Sequence, residues 1–295
     1  MRGLSQKFMK DLTLENDKLK MLLSLVRADG ALDLEIRENY VYIFYRGRSL
    51  YEIKPSGDDY IFRFDEENYG KGCQWDDKAK ELISVGQHLE AIPLLKSVID
   101  WHIGTVKQTD EKETQQLIIR ENNVMSVALN TDYYIVGSEY RLLTGGIPDL
   151  VAVQYNTKSR SRTVGQIALI EVKFGIDAVT GIAGVDEHIT DIERFFANKD
   201  GMVSLKEEVT ELFAQKTRLG LINVSKPIDR IGDEIPEYIL LFADATPKSD
   251  VVRSVLVPYK NKEFNGFSLK VAVASMMGYA LYSDCVVSVD DYLSM

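Results

Sequence analysis

Asp149 stands beside Pro148 in the apolar, β-branched stretch GGIPDLVAV (Gly145 to Val153), and about twenty residues later Glu171 and Lys173 interrupt a second such run, ALIEVKFG (Ala168 to Gly175). Successive side chains of a strand point to opposite faces, so Glu171 and Lys173 share one face while Val172 turns to the other. If the two runs are neighbours joined by the polar turn YNTKSRSRTVG, Asp149 lies near the same edge of the sheet, and two carboxylates converge with an ammonium. Carboxylates held close repel, and a divalent cation between them makes the arrangement favourable. Magnesium suits all-oxygen ligation from one or two carboxylates, a backbone carbonyl and several waters. Such a site suits phosphodiester hydrolysis, in which the metal polarises the phosphate and lowers the pKa of a bound water, and Lys173 orients that water or stabilises developing charge. The competing bland reading makes Asp149 the end of a turn, and Glu171 and Lys173 a charged pair on an edge strand.

Pro148-Asp149 followed by Glu171-Val172-Lys173 on the next strand resembles the PD-(D/E)XK motif of the restriction-endonuclease-like nuclease superfamily. The order helix, three strands, helix, strand from Asp110 to Asp244 is similar to that superfamily's core and covers about half the chain. The resemblance implies a nuclease in which Asp149 and Glu171 bind Mg2+ or Mn2+, Val172 lends its carbonyl and Lys173 assists the water. Family members commonly add a glutamate from the helix preceding the first strand. Both Glu111 and Glu113 stand in DEKETQQL; Glu111 shares a face with Thr114 and Ile118, Glu113 with Leu117, and Glu111 is preferred. First-turn carboxylates would equally serve the helix dipole.

The flanking pattern supplies elements to hold these residues. Residues Ser5 to Val26 have apolar spacing expected of one amphipathic helix. From Leu32 to Asp65 apolar and polar residues alternate, with turn signals at Glu38-Asn39, Arg46-Gly47 and Pro55-Ser56-Gly57, which predicts an antiparallel meander. Helical spacing returns over Asp76 to Trp101, and a boundary is expected near Gly104 to Gln108. A helix capped by Thr109 or Asp110 follows, then strands at YYIVGSEY, GIPDLVAVQY and QIALIEVKFG, helices through GVDEHITDIERFFAN and SLKEEVTELFAQKTRL, and a strand at EYILLFAD. A short helix or turn near KSDVVRSVLV and a last pair of strands around SLKVAVASMMGYALY complete the chain. The expected fold is α/β (α+β): a mixed central sheet flanked by helices with a restriction-endonuclease-like core at 106–295, preceded by a small α+β accessory domain at 1–105.

Composition narrows the partners. A hydrophobic fraction of 45% over 295 residues is that of an ordinary globular protein. Cys73 and Cys285 lie far apart and outside any CxxC, which argues against a disulfide framework or zinc ribbon and fits a reducing cytoplasm. Neither a signal peptide nor a bilayer-spanning run is expected. The net charge of -10 argues against a passive nucleic-acid coat, since gripping many phosphates needs cations. The turn TKSRSR nevertheless gathers Lys158, Arg160 and Arg162, which could contact a phosphate backbone or simply be a solvated tip. His188, Asp191 and Arg194 share one helix face and could add polar groups to a cleft; Lys216 and Arg218 could line a nucleic-acid path. His88 and His102 suggest no zinc. No GxxxxGK[ST], GxGxxG or GxSxG motif occurs.

The reading that follows is a cytoplasmic, metal-dependent nuclease for which DNA is favoured over RNA and RNA is left open, with an N-terminal part that selects substrate or forms a homodimer. The alternative is a catalytically inactive nucleic-acid-binding or assembly protein that keeps the nuclease fold.

Overall fold

The computed structural model describes residues 1–14, 18–64, 82–105, 111–124, 131–155, 163–175, 184–244, 249–274, 278 and 281–295. These form two compact units, 1–116 with 218–221, and 117–217 with 222–295.

The first unit opens with α1 (Gln6–Thr13), whose start is capped by the Ser5 side chain accepting from the Phe8 N–H. Where the apolar spacing predicts a single helix over Ser5 to Val26, the chain instead makes α1 and a second helix, α2 (Lys20–Ala28). Leu14 between them is extended, so the run breaks there even though its apolar spacing continues. The alternating segment forms β1 (Leu32–Ile36), β2 (Val41–Tyr45), β3 (Arg48–Ser56) and β4 (Asp59–Arg63), paired antiparallel in the order β1-β2-β3-β4. The expected turns carry the left-handed backbone that reversal needs: Asn39 at φ 57, Arg46 at 50, Gly47 at 71 and Gly57 at 60. Gly47 is required on a second ground. A Cβ there would stand 2.4 Å from the Lys112 carbonyl carbon, at the start of α4 (Glu111–Asn123).

The long helix α3 (Val85–Thr105) lies later than the Asp76 to Trp101 expected from spacing, of which 76–81 fall outside the described residues. Ile83, an apolar residue within the expected span, precedes the helix and is exposed. On α3, His88 is buried with its ring stacked on Phe62 at 4.4 Å, and the Tyr51 hydroxyl lies 3.3 Å from Nδ1. Burial pushes its imidazole below the usual histidine range, and His102 moves the same way through burial and the charge of Arg48. The folded state therefore prefers neutral rings. This stability is fully present above about pH 6.5, the ordinary histidine value, and is lost as pH falls through the lowered folded values. Melting curves at pH 7.5 and 5 are expected to show a drop in Tm that is smaller in His88→Phe.

The second unit is built on a mixed sheet. Its strands are β5 (Tyr133–Ser138), β6 (Leu150–Gln154), β7 (Val164–Phe174), β9 (Glu237–Ala243), β10 (Ser268–Ala274) and β11 (Val287–Ser288), in the order β11-β10-β9-β7-β6-β5, with the short β8 (Arg230–Ile231) beside β7. β5, β6 and β7 run antiparallel, whereas β7, β9 and β10 run parallel. The stretch SLKVAVASMMGYALY supplies β10; the other strand expected there falls largely on 275–277 and 279–280, outside the described residues, and β10 pairs antiparallel with β11 further on.

One sheet face packs Ile135, Leu150, Ala152, Ile170, Val172, Ile239 and Leu241 with Ile118 and Ile119 of α4. The other face meets α5 (Val185–Phe196) and α6 (Lys199–Arg218), where Phe213 makes an edge contact with Tyr134. The unit is thus a central sheet flanked by helices, as the element order predicts. A short helix α7 (Asp250–Leu256), capped by Ser249, and the terminal α8 (Val289–Ser294) complete the chain; the Arg253 guanidinium donates to the Tyr292 and Leu293 carbonyls and ties them together. Among the described residues no helix is long and apolar enough to cross a membrane.

Candidate functional site

β7 is an interior strand, so Glu171 and Lys173 are not the edge-strand pair of the bland reading. Their face is the one covered by α5 and α6, and each residue is buried, at 3% and 5% exposure. Burying a carboxylate and an ammonium is tolerable only when they meet, and Lys173 Nζ lies 2.8 Å from Glu171 Oε1.

The register Leu150↔Ile170 sets Asp149, the residue just before β6, opposite Glu171. β6 begins only at Leu150 because the chain leading into it forms a tight loop: Gly145 takes a positive φ of 98, and the Leu142 N–H donates to the Gly146 carbonyl at 2.8 Å. With no backbone partner continuing beside Val172, the Asp149 carboxylate takes that place, and its Oδ2 accepts the Val172 N–H at 2.7 Å. The Asp149 and Pro148 carbonyls accept from Glu139 and Tyr140, which anchors the acidic residue from its other side. Two neighbouring strands thus bring Asp149, Glu171 and Lys173 together.

Helix α5 adds a fourth group. His188 Nε2 lies 3.2 Å from Lys173 Nζ and 3.2 Å from Glu171 Oε1. With that nitrogen bare, the imidazole accepts from the ammonium; with it protonated, it donates to the carboxylate. One turn on, Asp191 approaches the loop before Asp149 so closely that a Cβ on Gly146 would be 3.4 Å from its own, while Arg194 pairs with Asp191 at 3.0 Å and is exposed. Spacing on the helix singles out all three, and it is His188 that reaches the buried pair. Tyr238, on β9, is a site neighbour that sequence reasoning missed. Strand alternation puts it on the Glu171 face, but in EYILLFAD it passes for another large apolar residue. Burial pushes its hydroxyl well above the ordinary phenol range, and the negative charges of Glu171, Asp149 and Asp191 add to the rise.

The other sequence candidates divide between the first unit, the undescribed residues and α6. Glu111 and Glu113 belong to the first unit, where Glu113 is held by Arg46 at 2.8 Å. Lys158, Arg160 and Arg162, like Cys73 and the proposed caps Thr109 and Asp110, lie outside the described residues. Lys216 is 1% exposed, so it cannot line a surface path: it sits on the inward side of α6, a position its charge disguises in the sequence. Arg218 is exposed and groups with the first unit.

The donor set has the chemistry a hard cation needs. Asp149 and Glu171 offer carboxylate oxygens, Val172 offers a carbonyl, and the donor set is all oxygen. Among the described residues no three His, Cys, Asp or Glu side chains gather as a metal site. A two-carboxylate set fits magnesium, which keeps several of its waters, better than it fits zinc or calcium. Compared with known proteins, the chain matches no family model, no curated protein and no solved structure.

Proposed function

We propose that the second unit is a metal-dependent nuclease of PD-(D/E)XK type that hydrolyses phosphodiester bonds in DNA. The observation that carries this reading is the meeting of Asp149 with the buried Glu171–Lys173 pair on adjacent strands of the sheet interior. Such placement is costly for a fold that gains nothing from it, because an apolar pair of similar volume is often as stable or more so. Asp149, Glu171 and the Val172 carbonyl would hold Mg2+ or Mn2+, which when bound supplies charge neutralisation at the phosphate and a water of lowered pKa. Lys173 presents an ammonium at that point, to orient the attacking water and to stabilise charge developing on the phosphate oxygens. Asp149, tied to the Val172 N–H, is held in place before any substrate arrives. With a net charge of -10, the grip on DNA must be local, and the cations of 158–162 are the nearest in sequence to both motif strands. Two widely spaced cysteines suit a cytoplasmic setting.

One observation favours the rival, a non-catalytic binding or assembly protein on the same scaffold: Glu171 Oε1 is already engaged by both Lys173 and His188. Incubation with supercoiled plasmid and with single-stranded DNA separates the two. The nuclease is expected to cut with magnesium or manganese, to stop with EDTA, and to lose about 100-fold or more in Asp149→Asn, which keeps an acceptor for Val172. DNA binding without cutting under every metal condition would establish the rival.

A further inference from the structure

Tyr238 is wholly buried on β9, on the same sheet face as Glu171, and its register partner on β7 is Leu169, one pleat deeper than Glu171. The ring makes an edge contact with Phe267, at 6.1 Å between centroids. Its hydroxyl has no hydrogen-bond partner among the described residues. A buried hydroxyl left in that condition is destabilising, and phenylalanine would fill the same space without that cost. The ionisable groups that bear on it are the carboxylates of Glu171, Asp149 and Asp191 and the phenol of Tyr259.

Lys173 and Glu171 hold each other at 2.8 Å, and Lys173 must lengthen that contact to act on a substrate oxygen. Glu171 then keeps His188 but loses its ammonium partner. Resting on the hydrolase reading above, we propose that Tyr238 is a positioning residue: its hydroxyl donates, directly or through one water, to the Glu171 carboxylate when Lys173 turns to the substrate. A phenol suits this task because its O–H can donate to a carboxylate oxygen, which a phenylalanine filling the same space cannot do. An outer partner of this kind keeps a ligand oriented without touching the reacting atoms.

The test compares the full-length chain with Tyr238→Phe in three measurements: plasmid cleavage kinetics, manganese binding by calorimetry, and Tm. The expected result is a Tm equal to or above that of the unmodified chain, a kcat about 10-fold lower with KM unchanged, and manganese affinity weakened about 10-fold. A variant with unaltered kcat and unaltered manganese affinity overturns the assignment, as does a clear fall in Tm, which would mean that the hydroxyl has a purely structural partner. If the unmodified chain neither binds manganese nor cuts, the hydrolase reading itself falls and takes this inference with it. If the unmodified chain does both and the variant matches it, only the role of Tyr238 falls.

Discussion

Lys173→Ala is expected to abolish cleavage and to destabilise the second unit by about 3–5 kcal/mol, the range for removing one partner of a buried ion pair. The size follows from burial: the Glu171 and Lys173 side chains are 4% and 6% exposed, so solvent cannot replace the missing ammonium. Among the described residues His188, at 3.2 Å, is the other nitrogen group in contact with the carboxylate, and it is shared with Lys173 rather than placed to replace it. Stability and chemistry are separable in the double variant Glu171→Gln/Lys173→Met, which removes both charges while keeping most of the volume. Its unfolding midpoint is expected to return most of the way, whereas its cleavage stays absent. Denaturant unfolding and plasmid nicking, run on both variants, check this. A Lys173→Ala protein that melts normally and still cuts would remove the basis for the assigned role and point to a contaminating nuclease.

Gly47→Val is expected to disrupt the first unit, at about 2–4 kcal/mol, by combining a left-handed backbone with a close approach. At φ 71 any L side chain is strained, and the atoms a Cβ would meet are backbone: the Lys112 carbonyl carbon at 2.4 Å, the Glu113 nitrogen at 2.5 Å and the Lys112 oxygen at 2.6 Å. Backbone at a helix start cannot swing aside as a side-chain tip can. The Gly47 N–H also donates to Gln116 Oε1 at 2.6 Å, a bond the displacement would break. Gly57 provides the control. It too has a positive φ, of 60, but a Cβ there meets nothing within 4 Å, so Gly57→Ala should cost only about 1 kcal/mol of backbone strain. Limited proteolysis between β2 and β3, with thermal melts of both variants, distinguishes the two outcomes.

The parts of this molecule that sequence periodicity made legible are those where one residue type has one physical use. Arg46-Gly47 could be placed at a reversal because the backbone there needs a positive φ. The motif strands could be paired because a charge inside a β-branched run needs a partner, and Asp149, Glu171 and Lys173 do come together. Periodicity reports that a stripe exists, not whether the chain continues straight, so α1 and α2 read as one helix. Nor does it report which stripe faces inward when a charged residue is buried, as with Lys216 on α6. The interior polar residue Tyr238 was invisible for the opposite reason: its ring satisfies the apolar pattern, and its hydroxyl gains meaning only from a strand adjacent in space but separated along the chain by two helices.

The bond from Val172 to the Asp149 carboxylate has a consequence for how this protein would change under selection. The oxygen that finishes the sheet between β6 and β7 belongs to the residue to which the proposed nuclease reading gives a metal, so on that reading a lineage that abandoned cleavage would still be penalised for shedding that acid. Cellular quality control, acting on the misfolded fraction, would remove such variants. An aspartate persisting at this position in a descendant is therefore no proof of retained activity, whereas Lys173, lost together with Glu171, would mark its end.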